Sequence, residues 1–160
     1  MLALCLSLAV VILDQLTKHA VRSHLNFNQP ITVIPGFFDL RYIRNTGAAW
    51  GILEGLNQWL VVLSVAMLLA IVIFRRHLFH PSAGSQVAIG LMVGGIAGNL
   101  IDRIRLNYVV DFLDFYWGRW HFPAFNVADA AICCGVGLYM LLQLVVSSRV
   151  EQDERGASTS

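Results

Sequence analysis

Four long apolar runs, at about 2–21, 58–74, 85–104 and 125–146, constrain this 160-residue chain more than any other feature. A helix needs about 20 mostly apolar residues to cross the hydrocarbon core of a bilayer. The expected fold is therefore an all-α membrane protein with four transmembrane helices. Composition agrees: 57% of residues are hydrophobic, 13% are charged and the mean hydropathy is +0.65. A soluble domain carries about 25% charged residues. The net charge of +1 supplies no basic stripe, so nucleic acid is not expected as a partner.

Polar residues interrupt the runs in a pattern. Asp14 and Lys18 are four apart with the acid first, so they share a helix face and can pair, either easing burial or bracing a site. In the third run Gly90, Gly94 and Gly98 recur every fourth residue, which lets helices approach closely in lipid. That run ends in GNLIDR, where Asn99, Asp102 and Arg103 lie along one face. Asn99 needs a partner if it is buried. Asn126 and Asp129 are three apart in the first turn of the fourth run, where the helix dipole favours a carboxylate. Leu2 to Leu13 has the apolarity of a signal-peptide core but no basic flank and no small-residue cleavage site, so the segment is expected to be retained. The tetrapeptide Leu2-Ala3-Leu4-Cys5 is a poor match to a lipoprotein attachment box because Leu4 is large.

Between the first two runs, residues 22–57 change character. Ile31 to Ile34 is β-branched, and Phe38, Leu40 and Tyr42 alternate with Asp39 and Arg41 at strand period. A small sheet on the membrane surface is expected, then a turn at Asn45–Thr46–Gly47 and a short amphipathic helix over Ala48 to Leu56. Trp50 and Trp59 suit the headgroup region. Residues 1–146 form one domain on this reading, and the polar 147–160 segment a disordered tail. Cys5, Cys133 and Cys134 lie in apolar runs and suggest packing rather than disulfides or metal. His77 and His80 lack a third ligand nearby, and neither a metal nor a cofactor is expected.

Asp111, in YVVDF, and Asp129, in FPAFNVAD, are each flanked by apolar residues. Ionisable groups in such settings mark functional sites. Two carboxylates confined together do not both ionise. One can then take a proton from water while the other donates to a carbonyl oxygen or a leaving nitrogen. The proton belongs to the pair, so neither acid has a fixed role. A re-entrant loop could bring the two together. No nucleophile elbow, metal box or phosphate-cradling loop competes with them. The alternative function is a proton-coupled transporter or channel using Asp14, Asp102, Asp111 and Asp129 as a relay. Ordinary caps or interfacial ion pairs are the bland reading, strongest for Asp102 beside Arg103.

Five pieces occur in order: LDQLTK (Leu13 to Lys18), NTGAAWG (Asn45 to Gly51), GGIAGNLIDR (Gly94 to Arg103), VVDF (Val109 to Phe112) and FPAFNVADA (Phe122 to Ala130). Together they resemble the bacterial lipoprotein signal peptidases, the signal peptidase II family. The resemblance covers nearly the whole chain. It implies a monomeric aspartyl endopeptidase of the inner membrane whose partners are membrane lipids and prolipoproteins carrying a diacylglyceryl cysteine. The bond before that cysteine would be cut. The family's catalytic acids fall on Asp111 and Asp129. Asn45, Asn99, Arg103 and Asn126 match positions that line the site and hold substrate, and Asp14, Lys18 and Asp102 match supporting positions. Ala130 stands where many relatives have Ser.

The resemblance also implies cytoplasmic termini and a periplasmic site. Charge runs the other way. Lys18, Arg22, Arg41, Arg44, Arg103, Arg105 and Arg119 would lie on the site side against Arg75, Arg76, Arg149 and Arg155, an inversion of the positive-inside pattern.

Overall fold

Among the described residues, four helices are long and apolar enough to cross a membrane: α1 (Leu2–His24), α2 (Asn57–Leu78), α3 (Ala83–Leu106) and α4 (Val127–Ser158). The computed structural model describes residues 1–47, 54–79 and 82–158, with side chains placed except at 76–78 and 148–158. Helix α1 buries Ser7, Val10, Asp14, Lys18 and Val21 along one stripe, while Leu4, Leu8, Ile12 and Leu16 face outward. An inward polar stripe and an outward apolar one suit a lipid surrounding.

Helix α3 is central, and α1, α2 and α4 all pack on it. Its glycines explain how the helices come so close. A methyl group at Gly90 would lie 2.9 Å from Leu6 Cβ, and one at Gly94 would lie 2.7 Å from Val10 Cβ. On its opposite side, Gly95 abuts the carbonyl of Ala128. The four-residue glycine spacing thus forms a seam with α1, as expected. The helix opens on Ser82, whose Oγ accepts from the Ser85 N–H at 3.1 Å, and closes on Asn107 at φ 63°.

The sheet has four antiparallel strands in sequential order: β1 (Pro30–Ile34), β2 (Phe38–Asn45), β3 (Val109–Trp117) and β4 (Trp120–His121). The first two arise where alternation indicates them. The other two correct the expected re-entrant loop: the stretch carrying Asp111 is a strand. Val109 to Phe112 are all buried, so both faces of β3 are covered and the solvent-facing alternation that would have marked a strand is missing. Val21, Tyr42, Val110 and Phe112 form a small core that seats the sheet on the helix ends. Sheet and site therefore lie at one end of the helices, and the start of α1 and the end of α4 at the other.

One expected element falls mostly outside the described residues, and one boundary differs from expectation. Residues 48–53 of the expected interfacial helix lie outside the described residues, and Glu54 and Gly55 form a turn ahead of α2. Helix α4 continues to Ser158, through the segment read as a disordered tail. That segment has several good helix formers, and no glycine or proline before Gly156.

Candidate active site

Strand β3 presents Asp111 by its pleat. Val110 and Phe112 enter the core, so Asp111 between them points to the opposite face, and it is only 2% exposed. The β2–β3 pairing shifts between Leu40 and Ile43, which sets Ile43 across from Asp111 and Asn45 across from Val109. Asn45 closes an Asx turn in which its Oδ1 accepts from the Gly47 N–H at 2.9 Å. This leaves its Nδ2 to donate to Asp111 Oδ2 at 2.8 Å.

Asp129 is fixed by a cap. Asn126 directly precedes α4, and its Oδ1 accepts from the Asp129 N–H at 3.0 Å. Asp129 Oδ2 in turn accepts from the Asn126 N–H at 3.1 Å, a reciprocal capping box built from Asn and Asp. The second carboxylate oxygen accepts from Asn99 Nδ2 at 2.7 Å. Asn126 Nδ2 reaches across to Asp111 Oδ1 at 2.7 Å, so one residue bonds both acids.

A buried ionic layer supports this arrangement. Lys18, 2% exposed, lies 2.9 Å from Asp14 and 3.2 Å from Asp102, and donates to Asn99 Oδ1 at 2.8 Å. Asp14 accepts from the Ala128 N–H at 3.0 Å and Asp102 from the Val110 N–H at 3.1 Å. The two acids thus tie the start of α4 and strand β3 to α1 and α3. The pairing of Asp14 with Lys18 was legible from their spacing. The bland alternative for Asp102, an ion pair with Arg103, does not form, because adjacent residues diverge around a helix. Arg103 instead donates to the Gly47 carbonyl at 3.2 Å and lines a cavity with both acids. Gln15, which sequence reasoning passed over, donates to Asp14, Asp102 and the Gly98 carbonyl at 3.1–3.2 Å. Its one signal was its place inside LDQLTK.

Burial, and then the charge of Asp129, push the Asp111 carboxyl up to about 7; the hydrogen bonds from Asn45 and Asn126 act against that rise. A carboxyl poised near neutrality can hold or release a proton. Two cavities meet at it. One, of about 540 Å³, is walled mainly by apolar side chains of α2, α3 and α4, including Leu60, Leu63, Met67, Ile96 and Ile132, and reaches both acids. The other, of about 440 Å³, lies against the sheet beside Arg41, Arg44, Asp114 and His121. Among the described residues, no three His, Cys, Asp or Glu side chains gather as a metal site would require.

Membrane-length helices closed by a sheet, with two linked carboxylates where the two meet, define a multi-pass membrane protein with a candidate active site. Two bacterial membrane enzymes solved by the in meso method have the same fold. One matches with a TM-score of 0.82 and 35% identity over 92% of this chain and 90% of its own. The second matches at 0.75 and 36% over 89% and 92%. Residues 6–145 match the family described as signal peptidase (SPase) II, and the chain belongs to that family, which makes it a peptidase. Proteins named lipoprotein signal peptidase are similar along most of their length. That of Syntrophotalea carbinolica is 44% identical over 88% of this chain and 89% of its own. That of Symbiobacterium thermophilum is 43% identical over 93% and 97%.

Proposed function

We propose that the chain is an aspartyl endopeptidase that removes signal peptides from diacylglyceryl-modified prolipoproteins, cutting the bond just before the lipidated cysteine. The observation that carries this reading is the linked pair: Asp111 and Asp129 both bond Asn126, where a cavity between the helices meets one lined by charged side chains of the sheet. With one proton between them, the ionised member takes a proton from water as its oxygen attacks the scissile carbonyl. The protonated member gives its proton to the carbonyl oxygen or the departing nitrogen. The near-neutral carboxyl of Asp111 suits it to hold that proton at rest.

Arg103 already donates to a main-chain carbonyl, which is the chemistry a bound peptide would offer it. Asn45, Asn99 and Asn126 orient the acids, while Asp14, Lys18 and Asp102 act through the elements they tie together. Acyl chains would fit the apolar cavity between the helices. Asp14, Asp102, Asp111 and Asp129 belong to one bonded cluster at one end of the helices, an arrangement that disfavours a relay across membrane depth.

The membrane would be the bacterial cytoplasmic membrane, with both termini in the cytoplasm and the site at the periplasmic face. Three of the cations on that face are engaged within the protein: Lys18 is buried with its acids, Arg41 stands beside Asp114, and Arg103 turns into the site. Reporter fusions test the orientation, with periplasmic signal expected at Asn28 and cytoplasmic signal between α2 and α3. The reverse pattern would overturn it. The function is tested with purified protein and a diacylglyceryl precursor beside its unlipidated twin. Cleavage of the lipidated form alone, before its cysteine by mass spectrometry, is expected. Equal cleavage of both, or of neither, would sink the proposal.

A further inference from the structure

The cavity against the sheet holds polar side chains that the hydrolytic step does not use. Asp114 is buried, at 2% exposure, with its Oδ1 2.9 Å from His121 Nδ1. Arg41 Nε stands 3.5 Å from Asp114 Oδ2 outside hydrogen-bond geometry, and both of these buried atoms lack a hydrogen-bond partner. A buried carboxylate with an unsatisfied oxygen is costly, and its presence in a cavity wall calls for an explanation.

His121 offers one. Its ring stacks on Tyr116 at 5.1 Å, yet its side chain remains 44% exposed. A carboxylate beside Nδ1 favours the tautomer that carries the proton there. In the neutral ring, Nε2 is then an acceptor, with no partner among the described residues. The two cavities share Asn45, Asp111, Phe122, Pro123 and Ala124, so a polypeptide crossing the acid would pass from one to the other. One of them is apolar and lies between helices; the other carries charge and lies against the sheet. A lipid-modified precursor has three parts: an apolar signal segment, acyl chains, and a mature polypeptide bound for water. Only the last matches charged walls outside the spans.

We propose that the sheet cavity is the subsite for the polypeptide that follows the lipidated cysteine, with His121 Nε2, oriented by Asp114, accepting a main-chain N–H of that segment. The inference rests on the prolipoprotein-peptidase reading above. It is tested with a lipidated precursor bearing a photoreactive side chain three residues after the cysteine, bound to the Asp129→Asn protein and mapped by mass spectrometry. Crosslinks to β2–β4, around Arg41, Arg44 and His121, are expected, whereas a probe three residues before the cysteine should miss them. Downstream crosslinks confined to the apolar cavity, or absent from the sheet, would overturn the subsite.

A kinetic measurement stands beside it. His121→Ala should raise KM for the precursor about 2- to 10-fold, the range of one hydrogen bond, with the effect falling on KM rather than kcat. His121→Gln, which keeps an acceptor, should recover part of that loss. An unchanged KM, or a loss borne by kcat, would count against the proposed contact. If the wild-type protein does not cleave the lipidated precursor, the parent reading fails. If it cleaves while the downstream probe labels elsewhere, only the subsite fails.

Discussion

Asn126 donates from Nδ2 to Asp111 at 2.7 Å while its backbone N–H bonds Asp129 at 3.1 Å. The strand that carries one acid and the helix that carries the other are thereby registered through a single residue. Neither carboxylate can move without disturbing the other's donors.

Asn126→Ala should therefore cost both stability and turnover. Losing the cap removes about 1 kcal/mol, and losing a hydrogen bond to a charged group about 1.5–3 kcal/mol. Thermal unfolding in detergent should show a lowered Tm, and precursor cleavage should fall at least about tenfold in kcat, which corresponds to about 1.4 kcal/mol. Wild-type turnover in this variant would show that the acids are positioned independently.

Asp111→Asn and Asp129→Asn should each reduce cleavage by at least about 100-fold, the lower range of general acid–base contributions. Near-native helical circular dichroism in both variants would separate this loss from unfolding. Retained cleavage in either would remove the carboxylate pair from the chemistry.

The raised carboxyl of Asp111 gives a signed pH dependence. Its ordinary value is 3.8 and its folded value about 7, so across that window the folded protein binds more protons than the unfolded one. Stability must then fall as pH rises from about 4 to about 7. Relative to Asp111→Asn, the wild-type protein should lose ground across this window, by up to about 4 kcal/mol if the full shift is realised. Unfolding midpoints of the two proteins at pH 4.5 and 8 check the sign; a constant difference would contradict it. Cleavage that needs the shared proton should also decline above about pH 7.

Lys18 holds two buried acids. Lys18→Met leaves Asp14 and Asp102 together without their cation, and should destabilise by about 3–5 kcal/mol, as expected when one partner of a buried ion pair is removed. Detergent unfolding measures this directly. A loss below about 1 kcal/mol, one hydrogen bond's worth, would show that the ionic layer is dispensable.

Two glycines of similar sequence setting should respond in opposite ways. At Gly95 a Cβ would press on the Ala128 carbonyl and Ile132, so Gly95→Ala should cost about 1–3 kcal/mol by forcing α3 and α4 apart. At Gly137 nothing lies within 4 Å, and Gly137→Ala should be neutral or stabilising by about 0.5–1 kcal/mol through helix propensity. Equal effects at the two positions would mean that close helix approach is not what Gly95 serves.

Much of the site was legible before any fold was known, although for different reasons at different residues. Asp14 with Lys18, and Asn126 with Asp129, were readable because helix period alone places them on one face. Asp111 was visible as an acid among apolar residues, but not as a strand residue, because burial on both faces removes the period-two signal. Gln15, Asp114 and His121 carried no local signal strong enough to separate them from ordinary polar residues.

By itself the sequence determined the four spans, the glycine seam and the two strands of residues 30–45, because apolar length and periodicity are properties of neighbouring residues. The naming of the two acids came from ordered motifs. Only the tertiary structure decided that Asp102 braces β3 rather than pairing with Arg103, and that Asn126 joins the two carboxylates. Only it showed that Asp14 holds Ala128 across a separation of 114 residues. The physical reason is that a buried donor or acceptor must find a partner wherever packing brings one, and packing joins residues that no local pattern links.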